Sequence, residues 1–270
     1  MAGLVPAAIH AGTPRADEGD AARSSVDARD KRGHDGIWLM NIFVLTGAGV
    51  SAESGLGVFR GEGAALWKRY DPMQLATPEA FGRDPATVHE FYNARRRNLI
   101  AASPNAAHVA LARLEAGLAR RGGAVALVTQ NIDDLHKRAG SKNVIHMHGE
   151  LLKARCASCG AIGDRRDDLA VDSRCGCGGA LRPHVVWFGE TPLFMEEIYS
   201  ALETADLFVA IGTSGAVYPA AGLVREARAR GARCCELNLE PSDNAAEFDE
   251  RRCGPAGEIV PSWVKEILAR

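Results

Sequence analysis

The run Ile42-Phe43-Val44-Leu45-Thr46-Gly47-Ala48-Gly49-Val50-Ser51-Ala52-Glu53-Ser54-Gly55 decides the fold of this chain. Its uncharged, β-branched and aromatic start reads as a buried strand, and the glycines that follow end it abruptly. Gly47, Gly49 and Ala52 fit G-x-G-x-x-(G/A), a pattern in which glycines let the backbone turn tightly and approach a pyrophosphate. The next helix would aim its free N–H groups at the phosphates. Two glycines at a strand-turn-helix corner also arise for purely structural reasons, so the pattern needs support from elsewhere in the chain. An ordinary dinucleotide-binding fold ends a second strand in an acidic residue about 20 residues on. Residues 56 to 78 instead hold glycines, Trp67 and Tyr70-Asp71-Pro72, which reads as a loop crossing over the site. Hydride transfer is disfavoured for that reason.

Four more apolar runs repeat the arrangement. Val125–Thr129 leads into Gln130-Asn131-Ile132-Asp133-Asp134-Leu135-His136, and Val144–Met147 into His148-Gly149-Glu150. Leu207–Ile211 leads into Gly212-Thr213-Ser214-Gly215, and Cys234–Leu237 into Asn238-Leu239-Glu240. Helices are predicted from Pro78, from Pro85 to about Ile100, from Pro104 to Arg120 with His108, Leu111, Leu114 and Leu118 at helical spacing, and from Ala220 to Arg230. Strands alternating with helices predict an α/β fold, a Rossmann-like parallel sheet with helices on both faces. Every polar or glycine cluster follows the C-terminal end of a strand, the edge where open α/β sheets carry their ligands. One site built from five loops is the economical reading.

Composition narrows the function. With 46% hydrophobic residues in 270, the chain can bury a sizeable core, and its net charge of -2 argues against nucleic acid as main partner. No apolar run reaches the ~20 residues of a membrane span, so a soluble protein is expected. Residues 1–36 are poor in large apolar side chains and end in Asp27-Ala28-Arg29-Asp30-Lys31-Arg32, which predicts a mobile tail without the apolar core of a signal peptide. Seven cysteines without an export signal point to a reducing compartment, the cytoplasm.

Four of those cysteines form a pattern. Cys156-x2-Cys159 and Cys175-x-Cys177 flank a charged, apolar-poor segment, and four thiolates so spaced predict a closed, structural zinc site. The segment 151–182 cannot form its own hydrophobic core, so metal binding would supply most of its folding free energy. Cys234, Cys235 and Cys253 read as core or surface residues. A zinc ribbon invites a nucleic-acid reading, but Arg165-Arg166 is followed at once by Asp167-Asp168, which spoils a basic face.

In order along the chain, Gly47-Ala-Gly-Val-Ser-Ala-Glu-Ser-Gly55 with Phe59-Arg60, Gln130 to His136, His146-Met-His-Gly149, the four cysteines, Val186-Trp-Phe-Gly-Glu190, Gly212-Thr-Ser214 and Asn238 resemble the sirtuins, the NAD-dependent protein-lysine deacylases. The resemblance covers about residues 40 to 267. It implies an NAD-binding domain from 37–60, 104–150 and 183–270, a helical insertion and cofactor loop at 61–103, and the zinc module at 151–182. It also implies acyl-lysine peptides as partners, no direct contact with nucleic acid or membrane, and a monomer. An ADP-ribosyltransferase activity is the enzymatic alternative, because the same oxocarbenium-like centre could be trapped by another nucleophile.

The roles that the resemblance implies are specific. Asn131 and Asp133 would hold the nicotinamide carboxamide beside Ile132, and Gln130 would contact the ribose. His148 matches the catalytic base that deprotonates a ribose hydroxyl once the acyl oxygen has attacked C1′ and nicotinamide has left; His146 becomes a structural residue. Gly47, Ala48, Gly49, Glu53 and Arg60 would line the pyrophosphate and ribose, with Phe59 shielding the reactive carbon. Gly212, Thr213, Ser214, Asn238, Leu239, Glu240 and Ala256 would surround the adenosine half. Val186, Phe188, Gly189 and Glu190 on one side, and Val217 and Tyr218 on the other, resemble edges between which a substrate peptide docks as an added strand. Two departures stand out: Gly55-Leu-Gly-Val58 replaces a polar or proline-containing segment, implying a more mobile cofactor loop, and Asp134 adds a carboxylate near the nicotinamide pocket.

Arg182-Pro-His-Val-Val-Trp-Phe-Gly-Glu190 and Phe91-Tyr-Asn-Ala-Arg95 look most like the class III sirtuins and the bacterial CobB type. Tyr92 and Arg95, three apart, share a helix face and could converge on one ligand. On composition alone they read as part of a solvated basic helix, since Arg96 and Arg97 follow. The resemblance implies that they bind the carboxylate of succinyl- or malonyl-lysine, with Ala76 as the small residue that widens the pocket.

Overall fold

The computed structural model describes residues 40–57 and 72–270, so the tail reading of 1–36 and the centre of the crossover loop lie outside the described residues. Nine strands are present among those described: β1 (Asn41–Thr46), β2 (Ala124–Thr129), β3 (Val144–His146), β4 (Gly149–Cys156), β5 (Ile162–Asp164), β6 (Leu181–Val185), β7 (Leu207–Ile211), β8 (Arg233–Asn238) and β9 (Glu250–Cys253). Six form a parallel sheet in the order β3-β2-β1-β7-β8-β9, and three form a small antiparallel sheet, β5-β4-β6. The chain builds outward from β1 to β3, returns to the centre, and builds outward again from β7 to β9. The switch point between β1 and β7 is where an open α/β sheet leaves a ligand crevice.

Strand alternation sends β1 into two cores. Ile42 and Val44 point into a layer with α4 (Ala106–Ala119) and α8 (Ala256–Ala269), where Leu111, Leu114, Val260 and Trp263 are buried. Phe43 and Leu45 point the other way, against Phe208, Ile198 of α6 (Met195–Glu203) and Leu223 of α7 (Leu223–Ala229). Helices therefore cover both faces, as expected. Among the elements beyond the expectation are α6, α8, and the edge strand β9, whose residues Glu250-Arg251-Arg252-Cys253 carry no apolar run. The helix expected at 220–230 begins as a 3-10 turn, Ala220–Gly222, before α7.

A third core joins the helical insertion to the small sheet. Its helices are α1 (Pro72–Leu75), α2 (Pro78–Arg83) and α3 (Pro85–Ala101); a further short helix, α5, spans Leu135–Arg138. Thr77 caps α2 by accepting from the Ala80 amide at 3.0 Å, and Asp84 caps α3 by accepting from Thr87 at 3.1 Å, each just before the proline that opens its helix. Tyr92, Leu99, Leu151, Leu152, Val185 and Trp187 are buried together. The small sheet thus runs past both ends of the 151–182 segment, with Gly149 to Ala154 leaning on α3 rather than on metal. Asn93 and Arg96 fasten the same helix from its far side: Asn93 bonds both N and O of Leu169, and Arg96 Nε reaches Leu151 O at 3.3 Å.

Candidate active site

The loops after β1 and β7 meet backbone to backbone. Gly47 N donates to Ile211 O at 3.0 Å, and Gly49 N to Gly212 O at 2.9 Å. A Cβ on Gly47 would lie 2.7 Å from Gly212 O, one on Gly49 2.7 Å from Gly212 Cα, and one on Gly212, at φ 61°, 2.4 Å from Val50 N. Packing alone therefore demands three of the glycines attributed to cofactor approach. The segment that follows is a 3-10 turn, Ala48–Ser54, rather than the α-helix expected there. Asn238 Nδ2 supports the β7 loop from below, donating to Thr213 O at 2.7 Å.

The loop after β2 folds onto the same corner. Gln130 N donates to Thr46 O at 2.9 Å, and Asn131 Nδ2 donates to Gly47 O at 3.0 Å and Ser51 Oγ at 3.2 Å. Ser51 Oγ in turn donates to Asp133 Oδ2 at 2.9 Å, while Asp133 Oδ1 accepts from Leu135 N at 3.1 Å. Burial pushes the Asp133 carboxyl up, against the pull of the Leu135 amide and the Ser51 hydroxyl. Asp134 lies 3.5 Å from Arg138 on its own helical turn.

Histidines lie under this floor. His108 Nε2 is 3.3 Å from Ser51 Oγ, His136 Nε2 is 3.1 Å from Thr46 Oγ1, and the two rings are 4.7 Å apart. Desolvation holds both neutral, with His108 down to about 4 and His136 well below the usual range. His146, also buried, is lowered to about 4 by desolvation although Glu150 opposes the shift. His148 differs: it is half-buried and its Nδ1 lies 3.0 Å from Gln130 O. A carbonyl only accepts, so Nδ1 carries the proton and Nε2 keeps the lone pair. Burial lowers its pKa, against the effect of that bond.

Next to His148 begin the segments expected to flank a peptide. Val186 N donates to His148 O at 2.9 Å, and Phe188 N to Ala76 O at 2.9 Å. Phe188, Val217 and Tyr218 are exposed apolar side chains on the two segments expected to flank a peptide. Tyr92 lies in the core beside Ala76, with Trp187 Nε1 donating to its hydroxyl at 3.0 Å. The Arg95 guanidinium is lowered by burial, an effect opposed by Tyr92 and Asp133 nearby, so this helix face turns toward the loop after β2.

Farther off, the four cysteines converge. Their Sγ atoms all lie within 4.8 Å of one another, with Cys156 to Cys177 at 3.5 Å and Cys159 to Cys175 at 3.8 Å. A tetrahedron of thiolates at zinc–sulfur distances of about 2.3 Å has edges of about 3.8 Å, so the donor set fits Zn2+. Amides of Cys159 and Ser158 donate to Cys156 Sγ, which lowers that thiol to about 6. Among the described residues these four thiols are the one group that could hold a metal, and four thiolates fill a tetrahedral zinc shell, so the site is structural.

The comparisons with known proteins agree with this geometry. A family model described as "Sir2 family" matches residues 47–219. The NAD-dependent protein deacylase of Caulobacter vibrioides is 61% identical over 235 residues, covering 86% of this chain and 98% of the relative. The chain belongs to the Sir2 family. Another Sir2 relative, the NAD-dependent protein deacylase of Escherichia coli strain K12, is 53% identical over 251 residues, 91% of this chain and 88% of its own. Among solved structures, a Sir2 homologue mutant with ADP-ribose superposes at TM-score 0.78 and 40% identity, covering 84% of this chain and 91% of that one. A Sir2 mutant with a deacetylated peptide and 3′-O-acetyl ADP-ribose gives TM-score 0.71 and 31% identity over 84% of this chain and 93% of that one.

In this Sir2 chain most of the catalytic and cofactor residues singled out from sequence gather on the sheet edge: Gly47 to Gly49, Gln130 to Asp133, His148 and Gly212 to Ser214. Leu239 is exposed beyond Asn238, next to Glu240, and Ala256 opens α8. Glu53 faces that helix end, accepting from Gly257 N at 3.0 Å. Glu190 turns inward onto Arg182, at 2.7 and 2.9 Å, and onto Arg155 at 3.1 Å. Gly189, at φ 88°, makes the turn between Phe188 and Glu190. Phe59 and Arg60 lie outside the described residues. Sequence reasoning assigned no individual role to Ser51, His108, His136 and Trp187, which the structure places around the candidate site. The signal for His108 was its place three residues after the cap Asn105, which lets it serve both the helix start and the site.

Proposed function

We propose that this chain is an NAD-dependent protein-lysine deacylase that removes acetyl and acidic acyl groups, yielding nicotinamide, O-acyl-ADP-ribose and free lysine. The relatives named as protein deacylases and the solved Sir2 complexes with ADP-ribose support the activity. The observation that carries it in this chain is the tautomer of His148: a neutral imidazole, lone pair on Nε2, anchored by Gln130 at the sheet edge. NAD supplies the electrophilic ribose carbon, C1′. Asn131 and Asp133 hold the carboxamide that departs. His148 Nε2 takes a ribose hydroxyl proton, and its lowered pKa keeps it able to do so below pH 6.5. The substrate peptide enters as a strand between Val186–Glu190 and Val217–Tyr218. The four-cysteine site holds zinc and takes no part in the chemistry. Seven cysteines, none disulfide-bonded, suit the cytoplasm.

Mass spectrometry of the products from NAD and an acetyl-lysine peptide tests the reading: O-acetyl-ADP-ribose supports it, and ADP-ribosylated protein in its place overturns it. His148→Ala is expected to lower kcat by about 10² to 10⁴ with NAD binding retained, because a base contributes to rate rather than to capture. Near-normal turnover would remove His148 from this role.

Acyl selectivity rests on Tyr92, Arg95 and Ala76. Arg95 lies on the face of α3 that turns toward the site, and Ala76 shares a core with Tyr92. Arg95→Met is expected to cost about 2 to 5 kcal/mol in kcat/KM for a succinyl-lysine peptide and far less for its acetyl counterpart. An unchanged ratio between the two substrates would reject the pocket.

A further inference from the structure

Trp187 is buried, and its indole Nε1–H donates to Tyr92 Oη over 3.0 Å. An indole N–H can only donate, so this bond fixes the phenol oxygen as acceptor on that side. The Tyr92 O–H is then left to donate to a different group. Burial raises the phenol pKa to about 12, which keeps that proton in place at neutral pH.

The indole is held on two sides. The Arg182 guanidinium lies 3.3 Å from the Trp187 ring centroid and forks onto Glu190 at 2.7 and 2.9 Å. Glu190 also accepts the Trp187 backbone N–H at 2.8 Å, and Arg182 reaches back to Val185 O at 2.8 Å. One carboxylate therefore fixes both the backbone of Trp187 and the cation that covers its ring. A cation over an aromatic face draws electron density from the ring and makes its N–H a stronger donor.

We propose that Trp187 is a positioning residue for acyl selectivity, its N–H holding Tyr92 as a hydrogen-bond donor toward an acidic acyl group beside Arg95. The inference rests on the acyl-pocket reading above and adds a residue to it. An ionised carboxylate only accepts, so a phenol committed to donating favours it. An acyl chain ending in an ammonium would meet donors alone. Arg182 and Glu190 serve the same end at one remove, by holding the indole.

The test is Trp187→Phe, which keeps an aromatic face under Arg182 and removes the donor. Steady-state kinetics are measured with succinyl- and acetyl-lysine versions of one peptide, in wild type, Trp187→Phe, Tyr92→Phe and the double variant. The expected result is a loss of about threefold to tenfold in kcat/KM for the succinyl peptide relative to the acetyl peptide, expressed in KM. In the Tyr92→Phe background Trp187→Phe is expected to cost nothing further on the succinyl peptide. Should Trp187→Phe fold poorly, β-(3-benzothienyl)alanine at position 187 preserves the bicyclic shape without the N–H and serves instead. Equal losses on both substrates, or full additivity in the double variant, would overturn the proposal. If Arg95→Met loses the succinyl substrate while both Trp187 replacements keep the ratio, this inference fails and the acyl pocket stands; if Arg95→Met leaves the ratio unchanged, the pocket itself fails.

Discussion

The main sheet and the cysteine-bearing lobe are held together by opposite means. In the sheet, β1, β2, β7 and β8 are buried on both faces by two apolar layers. Between Ala157 and Ala180, Leu169 is the one buried side chain, and it is fastened from outside by Asn93. The sheet can place catalytic loops because their strand ends cannot shift without exposing a core. The lobe has no such core, so four thiolates and a clamp to α3 do the placing. Burial positions the chemistry, and metal positions a part remote from it.

Removing the metal should separate the two most strongly. Structural zinc sites in small modules are worth about 10 to 16 kcal/mol of apparent binding free energy. Cys175→Ser, or chelation, is expected to abolish hydrogen-exchange protection across 157–180 while β1 and β2 stay protected. Unchanged protection in the lobe, or one zinc per chain surviving the substitution, would show that the lobe is held some other way. A cut into the sheet core should act globally instead. Leu114→Ala empties a fully buried position and is expected to cost about 2 to 5 kcal/mol by urea unfolding, with lobe and sheet amides losing protection together. A loss confined to the sheet would contradict the contrast.

Acid gives the smallest and most graded effect. His108 and His146 are buried and held at about 4, below the unfolded value near 6.5, so the unfolded chain binds more protons between these limits. Stability from both is complete above pH 6.5 and falls as pH drops through it, by about 1.4 kcal/mol each at pH 5.5. Urea midpoints from pH 7.5 to 5.5 check this. His108→Gln should flatten the slope, and a slope unaltered by it would assign the acid loss to other groups.

The legible parts of the chain were those whose physics is local. β1, β2, β7 and β8 announced themselves because central parallel strands need continuous apolar runs, and the short edge strand β3 was legible from Val144-Ile145. The edge strand β9 did not, since Glu250, Arg251 and Arg252 face solvent or ion partners, with Arg252 forked onto Glu266 at 2.8 Å. Helix α8 was hidden by Gly257 near its start and Pro261 within it. The half-buried alternation of β4, Gly-Glu-Leu-Leu-Lys-Ala-Arg-Cys, read as part of a coreless module because its apolar partner, α3, lies more than fifty residues upstream. The placement of His148 and the Gln130–Asp133 loop at the sheet edge was legible from motif order. His108 and Trp187 were not, because what matters in each is a contact across the fold, to Ser51 and to Tyr92.

The glycine seam between the loops after β1 and β7 carries a lesson about descent. Gly47, Gly49 and Gly212 are required by one another's backbones, whether or not a nucleotide ever binds between them. A lineage that lost its catalysis would be free to drift at His148 within a few substitutions, yet it would go on paying selection at all three glycines for as long as it kept the fold. Divergence among such relatives would therefore erase the base long before the fingerprint, and a degenerate descendant would still look like a cofactor-binding protein at its first loop.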